Sequence, residues 1–452
     1  MRATPDEATL AGAIARYHEL CEDPELAGPA VVQGFVDAQR AAGLTFGGVV
    51  QCRSLRPAFI TTQRLDALRA AVAILWDAFA MLERRAVSDT LLADYLRLSE
   101  PERQLIAIDP GYDDATVVSR LDTYFAAVPH VLEYNADSPA GMSYQAGQSA
   151  LMRRLPVFER FAAEYGTATL RADIALRETL LAVWREFARR QGRGRAMPRV
   201  AILDLADAAT SAEFQLVKRD FEMHGMATLV TTPEQLRFDG GALSADGEPI
   251  DLVYKRLLVA DFLQRYDLSH PLVRAYAAGA VCVASSFRCT IAHKKLALAA
   301  LADPRYAAAL SDGQRRAVRE FVPRTIALRA DAAADSLPDR MTNVLKPNDA
   351  HGGEDVVLGW ECPAAQWRER VAHSAHHGFV LQERVQPTYG RYPIFDAAAP
   401  AGGIRLRDMI EDCNAYVFRG ALGGILTRLS ESQIVNVSRG GQAIPTFVLE
   451  AA

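Results

Sequence analysis

Residues 130–145 read HVLEYNADSPAGMSYQ, an apolar strand that runs into a Pro/Gly turn. On a strand, side chains two positions apart share a face and stand about 6.6 Å from one another. Glu133 and Asn135 therefore present a carboxylate and an amide oxygen side by side, hard donors of the kind that suit Mg²⁺. Just upstream, residues 115–125 (ATVVSRLDTYF) alternate as a second strand. Asp122 there offers another carboxylate. Arg120, two residues earlier, shares its face and is placed to reach a phosphate. The alternative is a polar pair on an ordinary surface strand.

Outward from this pair the pattern changes. Residues 64–83 (RLDALRAAVAILWDAFAMLE) repeat apolar side chains at helical spacing without Gly or Pro, with Thr61 or Thr62 as the cap. Residues 1–105 thus read mostly as helix, a packing layer without chemistry. Helix returns over 149–190 and closes at the linker QGRGRAMP. From Arg199 strands alternate with helices: RVAILDLAD, then TSAEFQLVKRDFEMHG, MATLVTT and IDLVYKRLL. That order implies a small parallel sheet of Rossmann type. No GxGxxG accompanies it, so a dinucleotide site is not supported. Residues 236–249 hold two turn signals, 291–303 read as helix, and 408–430 read as two antiparallel strands joined by a glycine turn.

Two further stretches carry chemistry. In VLKPNDAHGGEDV (344–356) a strand bearing Lys346 enters a loop with His351, Gly352 and Gly353. Glycines let backbone N–H groups approach phosphate oxygens, and a lysine on the flanking strand adds a point charge. A hairpin with a GG turn is the other reading. In FVLQERVQP (379–387), Gln382, Glu383 and Val385 lie where a strand leaves its sheet and can offer backbone groups to an adenine edge, or form a plain edge strand. There is no GxxxxGK[ST] and no HRD or DFG set, which excludes a P-loop and argues against a protein kinase. Lys255 and Arg256 end a strand and are candidates for a substrate carboxylate. Arg405, Arg407 and Arg428 are anion-binding candidates, Arg428 for substrate, and Ser138, in the turn beside the cation pair, is a candidate substrate contact. Asp408, Glu411 and Asp412 read as a solvated acidic turn, or as groups that orient the amine, and His373, His376 and His377 as a surface cluster rather than a metal set.

These stretches occur in an order that resembles a known family. EYNADSPAG is similar to the EYNADTP-type motif of glutathionylspermidine synthase and related circularly permuted ATP-grasp proteins. Arg120-Leu121-Asp122 resembles the RxD before it. HKKLALAAL resembles the NKALL-type helix, KPNDAHGGEDV the KPxxGREG-type loop, FVLQERV the xxQE strand, and GGILTRLSESQIVNVSRGG the closing segment. The resemblance covers roughly residues 110–450. It implies an α/β fold, a circularly permuted ATP-grasp with a Rossmann-like pre-ATP-grasp layer and a helical N-terminal region. The implied parts are 1–105 helical, 106–195 Mg²⁺-binding strands and helices, 196–290 Rossmann-like, and 291–452 nucleotide-binding. It implies that Asp122, Glu133 and Asn135 hold Mg²⁺ and that Arg120 contacts the reacting phosphoryl group. Lys346 and Lys295 (or Lys294, one register off) would meet the ATP phosphates, and Gln382, Glu383 and Val385 would line the adenine pocket. His351-Gly352-Gly353-Glu354 lacks the arginine of the family loop. The implied activity is ATP- and Mg²⁺-dependent ligation of a small-molecule carboxylate to an amine through an acyl-phosphate. A non-catalytic ATP-binding protein of the same fold and an ATP-dependent small-molecule phosphotransferase are the alternatives.

Composition narrows the classes. The chain has 452 residues, half of them hydrophobic, and a net charge of −5, which excludes disorder and argues against a nucleic-acid partner. Six scattered cysteines give neither a disulfide framework nor a metal pattern. No signal peptide, membrane anchor or long apolar run is legible, so the expected setting is cytoplasmic, without membrane. Only five of the 50 basic residues are lysines (Lys218, Lys255, Lys294, Lys295, Lys346). Two of those five stand where the resemblance expects a phosphate-binding lysine.

Overall fold

The computed structural model describes residues 5–194, 196–328, 339–350 and 353–450. The stretch 64–83 lies inside one helix, Thr62–Ala86, whose first turn is capped by Thr61; its hydroxyl accepts from the Arg64 N–H at 3.3 Å. Leu65, Leu68, Val72, Leu75, Phe79 and Leu82 share one buried cluster with Leu121, Tyr134, Ala415, Val417 and Ile425. The helix therefore lies across a sheet that contains the strand pair singled out above. Phe79 stacks on Tyr134 with ring centroids 4.2 Å apart.

That sheet has eight strands. Its main order is Ala58–Thr61, Gln442–Leu449, Ala421–Ser430, Ile404–Phe418, Val118–Phe125 and Pro129–Asn135; Thr388–Phe395 pairs with Ile404–Phe418, and Thr167–Ala168 with Gln442–Leu449. Every pairing in it is antiparallel except that of Gln442–Leu449 with Ala58–Thr61. The turn between Phe418 and Ala421 holds Arg419 at φ 48° and Gly420 at φ 84°, the two positive angles a two-residue hairpin needs. The second face is covered by the helix Ala172–Arg190, whose Leu176, Leu180 and Trp184 join Val118, Tyr416, Phe418 and Leu426 in one cluster. A Cβ at Gly424 would lie 2.6 Å from the Ala172 Cβ, so only glycine lets the helix start so close.

The same helix also covers a second sheet. Cys282–Ala284, Leu252–Lys255, Val200–Leu203 and Thr228–Thr231, in that spatial order, are all parallel. A third sheet is antiparallel, in the order Thr325–Ala327, Phe379–Glu383, Asn343–Pro347 and Val357–Leu358.

Several expectations are corrected. The helix expected over 149–190 is three, Met142–Met152, Pro156–Ala162 and Ala172–Arg190, interrupted at Pro156 and by the short strand Thr167–Ala168. The turn-rich 236–249 folds as a three-stranded antiparallel sheet. The N-terminal region is not purely helical: Ala58–Thr61 joins the large sheet and pairs with the last strand. The helix expected over 291–303 breaks at Lys294, whose ψ of 133° is extended, between Thr290–His293 and Leu296–Ala302.

Glu83, on the long helix, is 3% exposed and accepts a short hydrogen bond from Thr116. Burial is the main cause that lifts its carboxyl to about 8, with Asp114 adding and Thr116 and Arg84 opposing. The folded protein therefore keeps a proton that the unfolded chain releases as pH rises above the ordinary carboxylate range. Stability falls between about pH 4.5 and 8 by up to a few kcal/mol from this group. Glu83→Gln should match wild type in thermal midpoint near pH 4.5 and exceed it by several degrees at pH 8. A gap that does not widen with pH contradicts the assignment.

Candidate active site

Across strands Val118–Phe125 and Pro129–Asn135, Asp122 pairs with Glu133 and Arg120 with Asn135, so all four side chains lie on one face. Asp122 is 1% exposed. Arg120 donates to it twice, at 2.6 and 3.1 Å, and to the Ala140 carbonyl at 3.1 Å. Arg428, on the strand Ala421–Ser430, donates to Asp122 at 2.9 Å and to Asp412 at 2.6 and 2.8 Å. Asn414, opposite Asp122 on the neighbouring strand, donates to Asp412 at 2.6 Å. The result is a buried chain of alternating charge across three strands. Burial raises Asp412 despite Arg428. For Arg428 burial works downward, and the pull of Asp412, Asp122 and Glu133 outweighs it.

Asn135 donates its amide N–H to Glu133 at 3.1 Å, which leaves its amide oxygen as a donor for a cation. Lys295 Nζ lies 3.8 Å from Glu133 and donates to the Ala350 carbonyl at 2.7 Å. Burial would push Glu133 up; Lys295, Lys346, the Asn135 amide and Arg428 together hold it well below the usual carboxylate range. Two carboxylates and an amide oxygen on one face are an all-oxygen set that fits Mg²⁺. Among the described residues no group of three or more His, Cys, Asp or Glu side chains is arranged to hold a metal. A cation set here rests on Asn135 as the third donor.

Facing this wall is the third sheet. Lys346, on Asn343–Pro347, donates to Gln382 at 2.6 Å and to the Leu132 carbonyl at 3.0 Å, so its ammonium bridges the two walls. Burial is the largest cause lowering Lys346, to about 8, with Lys295 adding and Glu133 and Asp122 opposing. Gln382 donates onward to Thr325 at 3.1 Å. The two walls border an open cleft of about 950 Å³ lined by Asp122, Glu133, Lys295, Lys346, Gln382 and Arg428 together with apolar Val344, Leu358, Trp360 and Pro387; Gly353, Glu383 and Val385 also border it. Gly353 has φ 77°, and a Cβ there would meet Ile434 at 2.7 Å. His351 and Gly352 lie outside the described residues.

Other expected site residues have different surroundings. Lys255 is 1% exposed and buried against Asp137, with a second contact to the Leu257 carbonyl at 3.2 Å. Arg256 is 6% exposed, bonded to the Pro139 carbonyl and to Tyr254. Ser138 donates to Asp137 and to the Lys255 and Leu257 carbonyls at 3.1 to 3.4 Å. Glu213 accepts the Gly141 N–H at 2.9 Å. Gly141 stands at φ 105°, with no room for a Cβ beside the Tyr416 hydroxyl at 2.4 Å. Together these residues fasten the DSPAG turn behind Asp122; they do not border the cleft. His373, His376 and His377 are exposed at the end of the helix Ala364–Ser374.

Asp412, expected in a solvated acidic turn, is instead buried on the fifteen-residue strand Ile404–Phe418. Asn414 and Trp360 are not singled out by the sequence reading; for Asn414 the alternation with Asp412 along that strand is the available signal. Trp360, under the Arg384 guanidinium at 3.9 Å and bonded to Gln433, left none.

With this geometry in hand, solved structures can be compared. A glutathione synthetase-like effector from Globodera pallida, in its apo form, is similar with a TM-score of 0.63 and 15% identity, over 94% of this chain and 98% of its own. A putative gamma-glutamylcysteine synthetase from Methylobacillus flagellatus is similar at a TM-score of 0.42 and 11% identity, over 83% and 88%. The ATP-grasp ligase PsnB, solved with a precursor peptide and AMPPNP, is similar at a TM-score of 0.24 and 15% identity, over 53% and 92%. The first shows the fold alone: this chain is a mixed α/β protein folded like that glutathione synthetase-like effector. No family model matches the chain, and no curated protein is similar to it in sequence. No described helix is long and apolar enough to cross a membrane.

The break at Lys294 separates two neighbouring lysines. Lys295 borders the cleft, whereas Lys294 is 2% exposed and pairs with Glu102 at 2.9 Å and Asp349 at 2.7 Å. If the cleft takes ATP, as the resemblance implies, Lys295→Met should weaken that binding at least tenfold in titration calorimetry with a small change in thermal midpoint. Lys294→Met leaves Glu102 buried without its cation and should cost about 3–5 kcal/mol of stability. The reverse pattern would exchange their roles.

Proposed function

We propose that this chain is an ATP- and Mg²⁺-dependent carboxylate–amine ligase, a circularly permuted ATP-grasp enzyme similar to the synthetase part of glutathionylspermidine synthase. One observation carries the reading. Lys346, Lys295 and Arg428 converge on Asp122 and Glu133 inside one cleft that Val344, Leu358, Trp360 and Pro387 also line. Such a lining suits a polyphosphate with its cation together with a purine.

In this reading the adenine lies between Val344, Leu358 and Trp360, against the rim formed by Glu383 and Val385. Lys346 and Lys295 neutralise the phosphates. Asp122, Glu133 and Asn135 would hold Mg²⁺, which when bound supplies charge neutralisation and orientation of the γ-phosphate. A substrate carboxylate oxygen attacks the γ-phosphorus and the bond to ADP breaks. The amine nitrogen then attacks the acyl carbon, phosphate departs, and the nitrogen loses a proton to form the amide. Arg428, with Arg120 behind it, keeps positive charge where negative charge gathers, and the chemistry rests mainly on positioning and electrostatics. The strand order supports the permuted reading, since the strands at 118–135 precede those of Lys346 and Gln382.

Purified protein with Mg²⁺ should release ADP for at least one acid–amine pair in a coupled screen of amino acids, polyamines and small peptides, with an amide product by mass spectrometry. Glu133→Ala should abolish that release while leaving the thermal midpoint within a few degrees. Full turnover in Glu133→Ala removes the cation assignment. A second reading rests on Asp122, whose two oxygens are both taken by arginines: a protein that binds ATP without ligating. Tight ATP binding with no ADP release across the whole screen favours it. A stable phosphorylated product that forms without any amine would mark a phosphotransferase instead.

A further inference from the structure

A separate groove of about 1350 Å³ lies on the other side of the segment 431–436. Gln433–Asn436 border the cleft described above, while Glu431 and Ser432 border this groove. Four guanidinium groups line it, Arg53, Arg405, Arg407 and Arg439, against two carboxylates, Asp396 and Glu431. In a chain with a net charge of −5, a local surplus of positive charge is a specific feature of this surface.

The protein supplies little to balance it. Arg53 is half-buried, and its guanidinium donates to the Gly440 and Gly441 carbonyls at 2.8 and 3.3 Å. Burial lowers Arg53, and the influence of Cys52, Asp396 and Glu431 does not offset it. Arg439 donates to the Gly353 carbonyl at 3.0 Å, again a neutral acceptor. Arg407 pairs with Glu431 at 2.6 Å, but both side chains are about half exposed, where such a pair contributes little. Arg405 lies two residues from Arg407 on the same strand face. Guanidinium forks match carboxylate and phosphate oxygens in pairs.

We infer that this groove is a binding site for a small polyanion, a molecule carrying two or more carboxylate or phosphate groups, which completes the charge balance of Arg53, Arg405, Arg407 and Arg439. The inference does not depend on the ligase reading, because none of these four side chains is assigned to it.

The test is calorimetric titration of the full chain in Mg²⁺-free buffer at fixed ionic strength, with citrate as the carboxylate probe and inorganic pyrophosphate as the phosphate probe. At least one should bind saturably below about 1 mM; which one does so separates the two chemistries. Arg405→Ala/Arg407→Ala, both exposed positions, should weaken that binding at least tenfold and leave ATP affinity unchanged. Lys346→Met, in the neighbouring cleft, should leave it intact. The inference is overturned by a wild type that binds neither probe, by equal binding in the double arginine variant, or by binding that disappears with Lys346→Met instead.

Discussion

Asp122 is the constraint on which the rest of the structure depends. It is a carboxylate with almost no access to water, on the strand next to the Pro129–Asn135 edge of the large sheet. A buried charge of this kind persists only with cationic partners and hydrogen bonds around it. Arg120 and Arg428 provide both, and Arg428 is in turn held by Asp412 and Asn414. The chain of contacts ties the strand Val118–Phe125 to the hairpin of Ile404–Phe418 and Ala421–Ser430, which lies some three hundred residues further along the chain. It also determines where Glu133, opposite Asp122, meets Lys295 and Lys346. Even the DSPAG turn serves it, because Arg120 also reaches the Ala140 carbonyl there.

Much of this was legible in the sequence, for physical reasons that differ by element. The long helix announced itself by an apolar stripe and a capping threonine, both local properties. The two cation strands were visible because alternation puts Asp122, Glu133 and Asn135 on one face whatever the rest of the chain does. The hairpin at Arg419-Gly420 carries its own turn chemistry. What failed was non-local. Ala58–Thr61 is too short to signal a strand, and it becomes one only because the last strand pairs with it. The helix expected to run through Lys294 breaks where Asn348 accepts the Leu296 N–H and itself bonds to the Leu96 carbonyl.

The same limit applies to the site. Lys255, Arg256 and Ser138 were chosen as substrate contacts for their residue types. Their partners, Asp137, Pro139 and Leu257, come from segments more than a hundred residues away or from the same short turn, and no local pattern encodes them. The N-terminal region, expected to be a passive layer, sends Glu102 into contact with Lys294 beside the glycine loop. Asp412 shows the opposite error: a charged residue assigned to solvent proves to be buried, because the cation it needs lies sixteen residues on, at Arg428.

Activation of a carboxylate in this cleft by the γ-phosphate of ATP leaves an isotopic trace. An acid–amine pair that turns over, with ¹⁸O in the acid's carboxylate, is followed by mass spectrometry of the released phosphate. The proposed ligation places one ¹⁸O atom in each phosphate formed, alongside ADP and the amide. Amide formed with unlabelled phosphate, or with AMP and pyrophosphate in place of ADP, would contradict it.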